Sequence, residues 1–159
     1  MDEQTRGRVA KAIGRIPSGC SIITARADNR RTGMLASWVQ QASMEPPAIS
    51  VAIKRGRPIE AIIDESGAFV LNVLGENATA MFRHFGKGFA PDEEAFAGLA
   101  TTDVAGGILI PDRIGYISAR VRSKVDAGDH SVYIAEVIDG EGDVGERPYV
   151  HIRKNGLGY

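Results

Sequence analysis

Residues 33–58 read GMLASWVQQASMEPPAISVAIKRGRP and carry several local signals in one segment. They predict a strand that ends before the Pro-Pro break at residues 46–47, then a second strand over residues 48–54. A helix is predicted to begin at Pro58, since proline suits the first helical position. The segment therefore predicts two neighbouring strands followed by a helix start.

Alternation along the first strand places Ser37, Gln41 and Ser43 on one face, with Trp38 and Gln40 on the other. Two adjacent amides cannot both face water on a sheet with one wet face. One of them is therefore expected to contact a ligand, a partner or a second chain. Trp38 has two interpretations, a core aromatic or a side chain that contacts a ligand ring.

Three cations, Lys54, Arg55 and Arg57, stand directly before Pro58. Free N–H groups and a partial positive charge at a helix start attract phosphate, and added cations strengthen that attraction. The alternative is a solvated charge cluster with no ligand. Beside a polar strand that carries a tryptophan, the cluster favours a cofactor with a flat ring and a phosphate tail, a shape that FMN has.

The composition favours one domain over residues 1–159, because 43% hydrophobic and 25% charged residues are ordinary for a soluble globular protein. A formal net charge of −1 argues against nucleic acid as a partner and favours a small anionic ligand. Cys20 is the only cysteine, which excludes an internal disulfide. Without an apolar signal run or an apolar stretch of about 20 residues, we expect a cytoplasmic protein with no membrane span.

Short segments with strand patterns are separated by turn signals, and no βαβ alternation occurs. This favours a mainly β, antiparallel barrel with a few short peripheral helices. The sequence predicts a turn at residues 139–142 and irregular structure over residues 86–111, with one helical turn near residues 93–96. Helices are predicted over residues 4–15, 58–65 and 76–85, and strands over residues 20–25, 32–41, 48–54, 68–74, 117–125, 132–138 and 149–152.

The chain contains no Rossmann glycine pattern, no P-loop and no nucleophile elbow, so the sequence does not indicate a Rossmann cofactor site, a P-loop nucleotide site or a hydrolase triad. His84, His130 and His151 lack metal-ligand spacing, so no metal site is predicted. Asp129 and His130 follow Gly128 either as turn residues or with His130 as a donor or cation at a cofactor.

Longer motifs carry a family resemblance. They are ASWVQQAS at residues 36–43, GDH at residues 128–130, and HIRK at residues 151–154 with the terminal Tyr159. On these residues the chain resembles the FMN-binding split-barrel flavin reductases. More narrowly, it resembles the flavin reductase module at the C-terminus of flavodiiron proteins. The di-iron and flavodoxin-like domains of those proteins are not in this sequence, so the resemblance implies the electron-entry step alone.

The resemblance implies a Greek-key FMN-binding split β-barrel and a homodimer with FMN near its interface. It also implies that His130 and Lys87 act near the ring, although Lys87 equally suits a helix end without any function. The residues assigned to the cofactor are Ala36, Ser37, Trp38, Val39, Gln40, Gln41, Ala42, Ser43, Lys54, Arg55, Arg57, Pro58 and Tyr159.

The function that the resemblance implies is an NAD(P)H-dependent flavin reductase. Hydride would pass from NADH or NADPH to FMN, with FAD or riboflavin as exchangeable flavins. Three alternatives stay open: an FMN electron carrier between a protein donor and a protein acceptor, a ferric reductase, and a redox-inert FMN-binding module.

Overall fold

A computed structural model describes residues 1–158. The helices are Glu3–Ile13 (α1), Pro58–Ser66 (α2) and Thr79–Gly86 (α3). The strands are Ser18–Gly19 (β1), Ser21–Ala27 (β2), Arg30–Ala36 (β3), Val39–Met44 (β4), Pro47–Lys54 (β5), Ala68–Leu74 (β6), Thr102–Val104 (β7), Gly107–Leu109 (β8), Arg113–Asp126 (β9), His130–Gly142 (β10) and Val150–His151 (β11). Within residues 1–158, none of the helices has the length and apolar character needed to cross a bilayer.

Seven strands form one antiparallel sheet in the order β3-β2-β6-β9-β10-β5-β4. Strands β3 and β4 stand at its opposite edges, yet only Ser37 and Trp38 join them. Three Cα-to-Cα steps from Ala36 to Val39 reach at most about 11 Å. The sheet must therefore curl until its edges meet, which confirms the predicted antiparallel split barrel with short peripheral helices. We call residues 37 and 38 the seam link.

The barrel interior is apolar, and α2 closes one side of it. Ile59 and Ile63 of α2 pack on a buried cluster that includes Phe69 and Tyr133. Gly67 ends the helix with a φ of 66°, and its N–H donates to the Ile63 carbonyl at 2.8 Å. A second apolar cluster lies between α3 and the strands.

The predicted strand over residues 32–41 is two strands, because the chain leaves one sheet edge at the seam link and joins the other. The predicted turn at residues 139–142 is wrong, since these residues continue β10 and pair with β9. A Cβ on Gly140 would lie 2.9 Å from the Tyr116 carbonyl oxygen, so this glycine permits close strand contact rather than a turn.

The segment expected to be irregular contains the β7–β8 hairpin. Thr24 anchors it, because its hydroxyl donates to the Ile108 carbonyl at 2.7 Å and accepts from the Ile108 N–H at 3.0 Å. Residues 93–96 form turns instead of the expected helical turn, and α3 begins at Thr79 instead of residue 76.

Helix α1 has no fully buried residue, so packing alone holds it weakly. The last residues of the chain contact its C-terminal end. The Gly156 N–H donates to the Ala10 carbonyl at 2.8 Å, and the Arg153 N–H donates to the Gly14 carbonyl at 3.2 Å. The Arg153 N–H thus satisfies the Gly14 carbonyl at the helix end, whereas the Ala10 carbonyl also accepts from the Gly14 N–H at 3.0 Å.

Candidate functional site

A cavity of about 570 Å³ opens at the seam link, and its size is in the range of small-molecule sites. We call it the seam cavity. Its walls come from the end of β3 with the seam link, from β5, from the start of α2, from α3 and from the C-terminal segment, residues 151–158. The site is therefore assembled from parts of the chain that are distant in sequence.

Five of the residues predicted to bind the cofactor meet in this cavity. Ser37 and Trp38 line it beside Ala36, and Lys54 and Arg57 line the same space. The Ala52 N–H donates to the Trp38 carbonyl at 2.9 Å, which ties the seam link to the strand that ends at Lys54. The structure thus brings the tryptophan segment and the cationic helix start together, as the sequence predicts.

Other predicted residues lie along β4 and are not among the described residues that line the cavity. They are Val39, Gln40, Gln41, Ala42 and Ser43. Strand β4 is an edge strand with both faces largely exposed in this single chain, so the contact of Gln40 or Gln41 with a ligand, a partner or a second chain stays a prediction. Both amides are exposed in this single chain. The register shift between Gln41 and Ser43 makes a bulge at Ala42.

Arg55 and Pro58 also lie outside the described cavity lining. Arg55 forms an ion pair with Asp126 on the β9–β10 hairpin at 2.5 Å. The pKa of Asp126 is lowered, first by the Gly128 N–H that it accepts and then by Arg55. Arg55 is therefore turned towards that hairpin.

At the start of α2, Pro58 has no N–H to offer, and the Glu60 carboxylate accepts the Gly56 N–H at 2.7 Å. A phosphate at this helix start would depend mainly on the Lys54 and Arg57 side chains. Tyr159 lies outside the described residues.

His130 begins β10 opposite Lys54 and is 5% exposed. Its ring contacts that of Trp38, with centroids 4.5 Å apart, and its Nδ1 lies 2.8 Å from Asp129 Oδ1. The hydrogen bond with His130 lowers the pKa of Asp129. His130 is thus behind the cavity wall, and in the turn before it the Gly128 N–H donates to Asp126 Oδ1 at 2.9 Å.

Lys87 follows α3, between two glycines that line the cavity. Its Nζ lies 3.4 Å from Glu93 Oε1 and 4.7 Å from the centre of the Phe89 ring. The side chain therefore extends along the loop after α3 and is not among the described lining residues.

The site-residue prediction omitted two parts of the wall. Phe82 and Phe85 of α3 form an apolar side, with Cys20 beside them, whose thiol pKa is raised by burial. The C-terminal segment contributes Arg153, which donates to Ser37 Oγ at 2.7 Å and lies 5.2 Å from the centre of the Trp38 ring. The HIRK motif at residues 151–154 was the available signal for this segment.

The lining fits a flavin in its chemistry. Aromatic and aliphatic side chains suit a flat ring, and the Lys54 and Arg57 cations suit an anionic tail. The sequence profile of the flavin reductase like domain matches residues 13–156. The chain belongs to this family.

The relatives agree with the profile. Diflavin flavoprotein A 1 of Synechocystis sp. (strain PCC 6803) is 39% identical over 152 residues, which cover 94% of this chain and 26% of the relative. The chain spans about a quarter of the length of the curated relatives that it matches.

Solved structures of flavin reductases share the fold. The NADH:FAD oxidoreductase of Streptomyces globisporus C-1027 has a TM-score of 0.87 at 19% identity, covering 98% of this chain and 92% of its own. A flavin reductase, HpaC, solved in complex with NADP+ has a TM-score of 0.76 at 29% identity, covering 92% and 94%. The predicted family is confirmed.

Proposed function

We propose that this domain binds FMN in the seam cavity and catalyses its reduction by NADH or NADPH. The observation that supports the proposal is the meeting of Trp38 and Ser37 with Lys54 and Arg57 around one cavity. The flavin, when bound, supplies the hydride-accepting ring, and the protein supplies binding, orientation and electrostatics.

Each part of the wall has a role in this proposal. Lys54 and Arg57 hold the phosphate through charge-assisted hydrogen bonds. The seam link borders the ring, and the apolar side of Phe82 and Phe85 excludes water from it. Lys87 adds positive charge beside the cavity, and His130 fixes the ring of Trp38 from behind.

The reductant and the oligomeric state belong to the same proposal. A pyridine nucleotide as reductant agrees with the solved complex of HpaC with NADP+. A homodimer agrees with β4, an edge strand that exposes both faces, with Met44 92% exposed. A second copy that covers β4 would also bring residues 39–43 to a cofactor at the interface.

A second candidate function is electron transfer without a pyridine nucleotide. The curated relatives are about four times as long as the matching segment, and their names denote diflavin proteins. In such a protein this domain would pass electrons between its flavin and another centre. Reduction of the bound FMN by a reduced protein donor but not by NADH or NADPH would favour this candidate.

Titration with FMN and anaerobic stopped-flow reduction test the proposal. We expect a visible flavin spectrum in the bound state, and bleaching by NADH or NADPH faster than that of free FMN. Failure to bind FMN, FAD or riboflavin would exclude the site. Bound flavin that neither nucleotide reduces faster than free flavin would exclude the reductase and leave the carrier or a redox-inert module.

A further inference from the structure

We propose that Arg153 is a positioning residue, which fixes the seam link as the wall of the cofactor site. This inference rests on the proposed function, because the wall matters only if a flavin binds against it. It concerns a residue of the C-terminal segment that is not among the residues assigned to the cofactor from the sequence.

One guanidinium group makes two contacts with the seam link. Its Nη2 donates to Ser37 Oγ at 2.7 Å, and its central carbon lies 5.2 Å from the centre of the Trp38 ring. A planar, delocalised cation can stack on an aromatic ring while its edge donates hydrogen bonds, whereas the compact ammonium group of lysine lacks that geometry. The contact pair is therefore specific to arginine.

The backbone of Arg153 is itself anchored on the end of α1. Its N–H donates to the Gly14 carbonyl at 3.2 Å, and its carbonyl accepts from the Arg15 guanidinium at 2.8 Å. Three residues later, the Gly156 N–H donates to the Ala10 carbonyl. The guanidinium thus reaches the seam link from a fixed base.

The seam link needs such support because its residues lie outside both flanking strands. Trp38 is 38% exposed, so packing alone leaves its ring with rotamer freedom. Arg153 and His130 both contact that ring. Without Arg153, a ligand that binds against the ring must first order it, which lowers affinity.

Trp38 is the only tryptophan of the chain, so its emission reports on the seam link alone. The test compares Arg153→Gln and Arg153→Lys with Lys11→Gln, which removes a cation from the exposed side of α1. In flavin-free protein, we expect the two Arg153 variants to shift the Trp38 emission to longer wavelength and to increase its quenching by acrylamide. We expect Lys11→Gln to match the wild type.

The same variants are then titrated with FMN. We expect the dissociation constant to rise roughly tenfold in Arg153→Gln, because FMN must then order the Trp38 ring when it binds. Arg153→Lys should recover little of that loss although it keeps the charge. In a double-mutant cycle with Ser37→Ala, the two losses should be less than additive, because both substitutions break the same bond.

Circular dichroism checks that each variant is folded. If Arg153→Gln unfolds, the Trp38 emission of Arg153→Lys and Ser37→Ala is compared with that of the wild type instead. Unchanged Trp38 emission and FMN affinity in folded Arg153 variants of a protein that binds and reduces FMN would overturn this inference alone. A wild-type protein that binds no flavin would overturn the proposed function, and with it the role of Arg153 towards a cofactor, whatever the emission shows.

Discussion

The rings of Trp38 and His130 lie 4.5 Å apart between centroids, with their planes inclined by 34°. Trp38 lines the seam cavity, whereas His130 is buried behind it at the start of β10. In this single chain, the histidine of the GDH motif therefore contacts a residue of the cavity wall, and it is not among the described residues that line the cavity.

The contact predicts the behaviour of His130→Ala. We expect this variant to retain FMN, because the cationic end of the cavity is unchanged. Flavin reduction by NAD(P)H should slow by about tenfold, equivalent to about 1.4 kcal/mol, as the ring of Trp38 loses its support. Stopped-flow kinetics measure the rate, and Trp38 emission measures the ring. Wild-type kinetics would leave His130 with a packing role only.

Lys54→Ala and Arg57→Ala should each weaken FMN binding. Each removes a charge-assisted contact to phosphate worth about 1.5–3 kcal/mol, which is roughly ten- to a hundredfold in the dissociation constant. Riboflavin, which lacks the phosphate, should bind the wild type and the variants alike. Isothermal titration with both ligands measures the difference.

Arg26→Ala is the matched control, since Arg26 pairs with Asp103 on the surface. Arg55→Ala should have a smaller effect than the two cavity variants, because Arg55 is paired with Asp126. Equal losses at positions 54, 55 and 57 would instead favour the assignment made from the sequence alone.

Gly156→Ala should detach the C-terminal segment from α1. A Cβ there would lie 2.5 Å from Ile13 Cγ2 and 2.6 Å from the Gly14 nitrogen, so the backbone must shift. We expect a loss of about 1–3 kcal/mol in the free energy of unfolding and faster trypsin cleavage after Arg153 or Lys154.

Gly158→Ala provides the control in the same segment, because its Cβ would meet only Asn155 Nδ2, at 3.6 Å. Denaturant unfolding and timed proteolysis compare the two. Equal stability and equal cleavage would show that the contacts at Gly156 do not hold the segment.

The free energy of unfolding should fall as the pH rises above about 10. Burial raises the pKa of Tyr133 to about 12, and its hydroxyl donates to Asp64 at 3.0 Å. Between about pH 10 and pH 12 the unfolded chain releases this proton and the folded chain keeps it. The stability that the Tyr133 hydroxyl contributes is therefore fully present below pH 10 and is lost as the pH rises to about 12.

Tyr133→Phe tests this assignment. The variant should lose about 1 kcal/mol at neutral pH with its hydrogen bond, yet its stability should fall less steeply above pH 10 than that of the wild type. Denaturant unfolding followed by Trp38 emission gives both values. Parallel curves for the two proteins would assign the alkaline loss to other groups.

Local patterns predicted most strands and α2, because alternation and the i, i+3, i+4 spacing of isoleucines directly reflect burial. The failures came from contacts between distant segments. Gly140 was interpreted as a turn residue, although it allows β9 and β10 to approach closely. The break at Ser37 and Trp38 was missed because only the closure of the sheet requires it.

For the site, the sequence predicted the seam link and the cations Lys54 and Arg57, because all of them lie in one segment of the chain, residues 33–58. It did not predict the walls from α3 and from the C-terminal segment. Phe82 and Phe85 have the pattern of an ordinary amphipathic helix, and nothing local to Arg153 indicates that its side chain reaches Ser37.

The two-residue connection between the outermost strands has a thermodynamic consequence. In the described part of the chain, β3 and β4 do not pair with each other. The two edges of the barrel are therefore connected by the backbone of the seam link and not by a ladder of hydrogen bonds. A ligand that contacts both edge strands would link them through non-covalent contacts. Its concentration would then set the melting temperature, through the mass-action gain in the free energy of the native state.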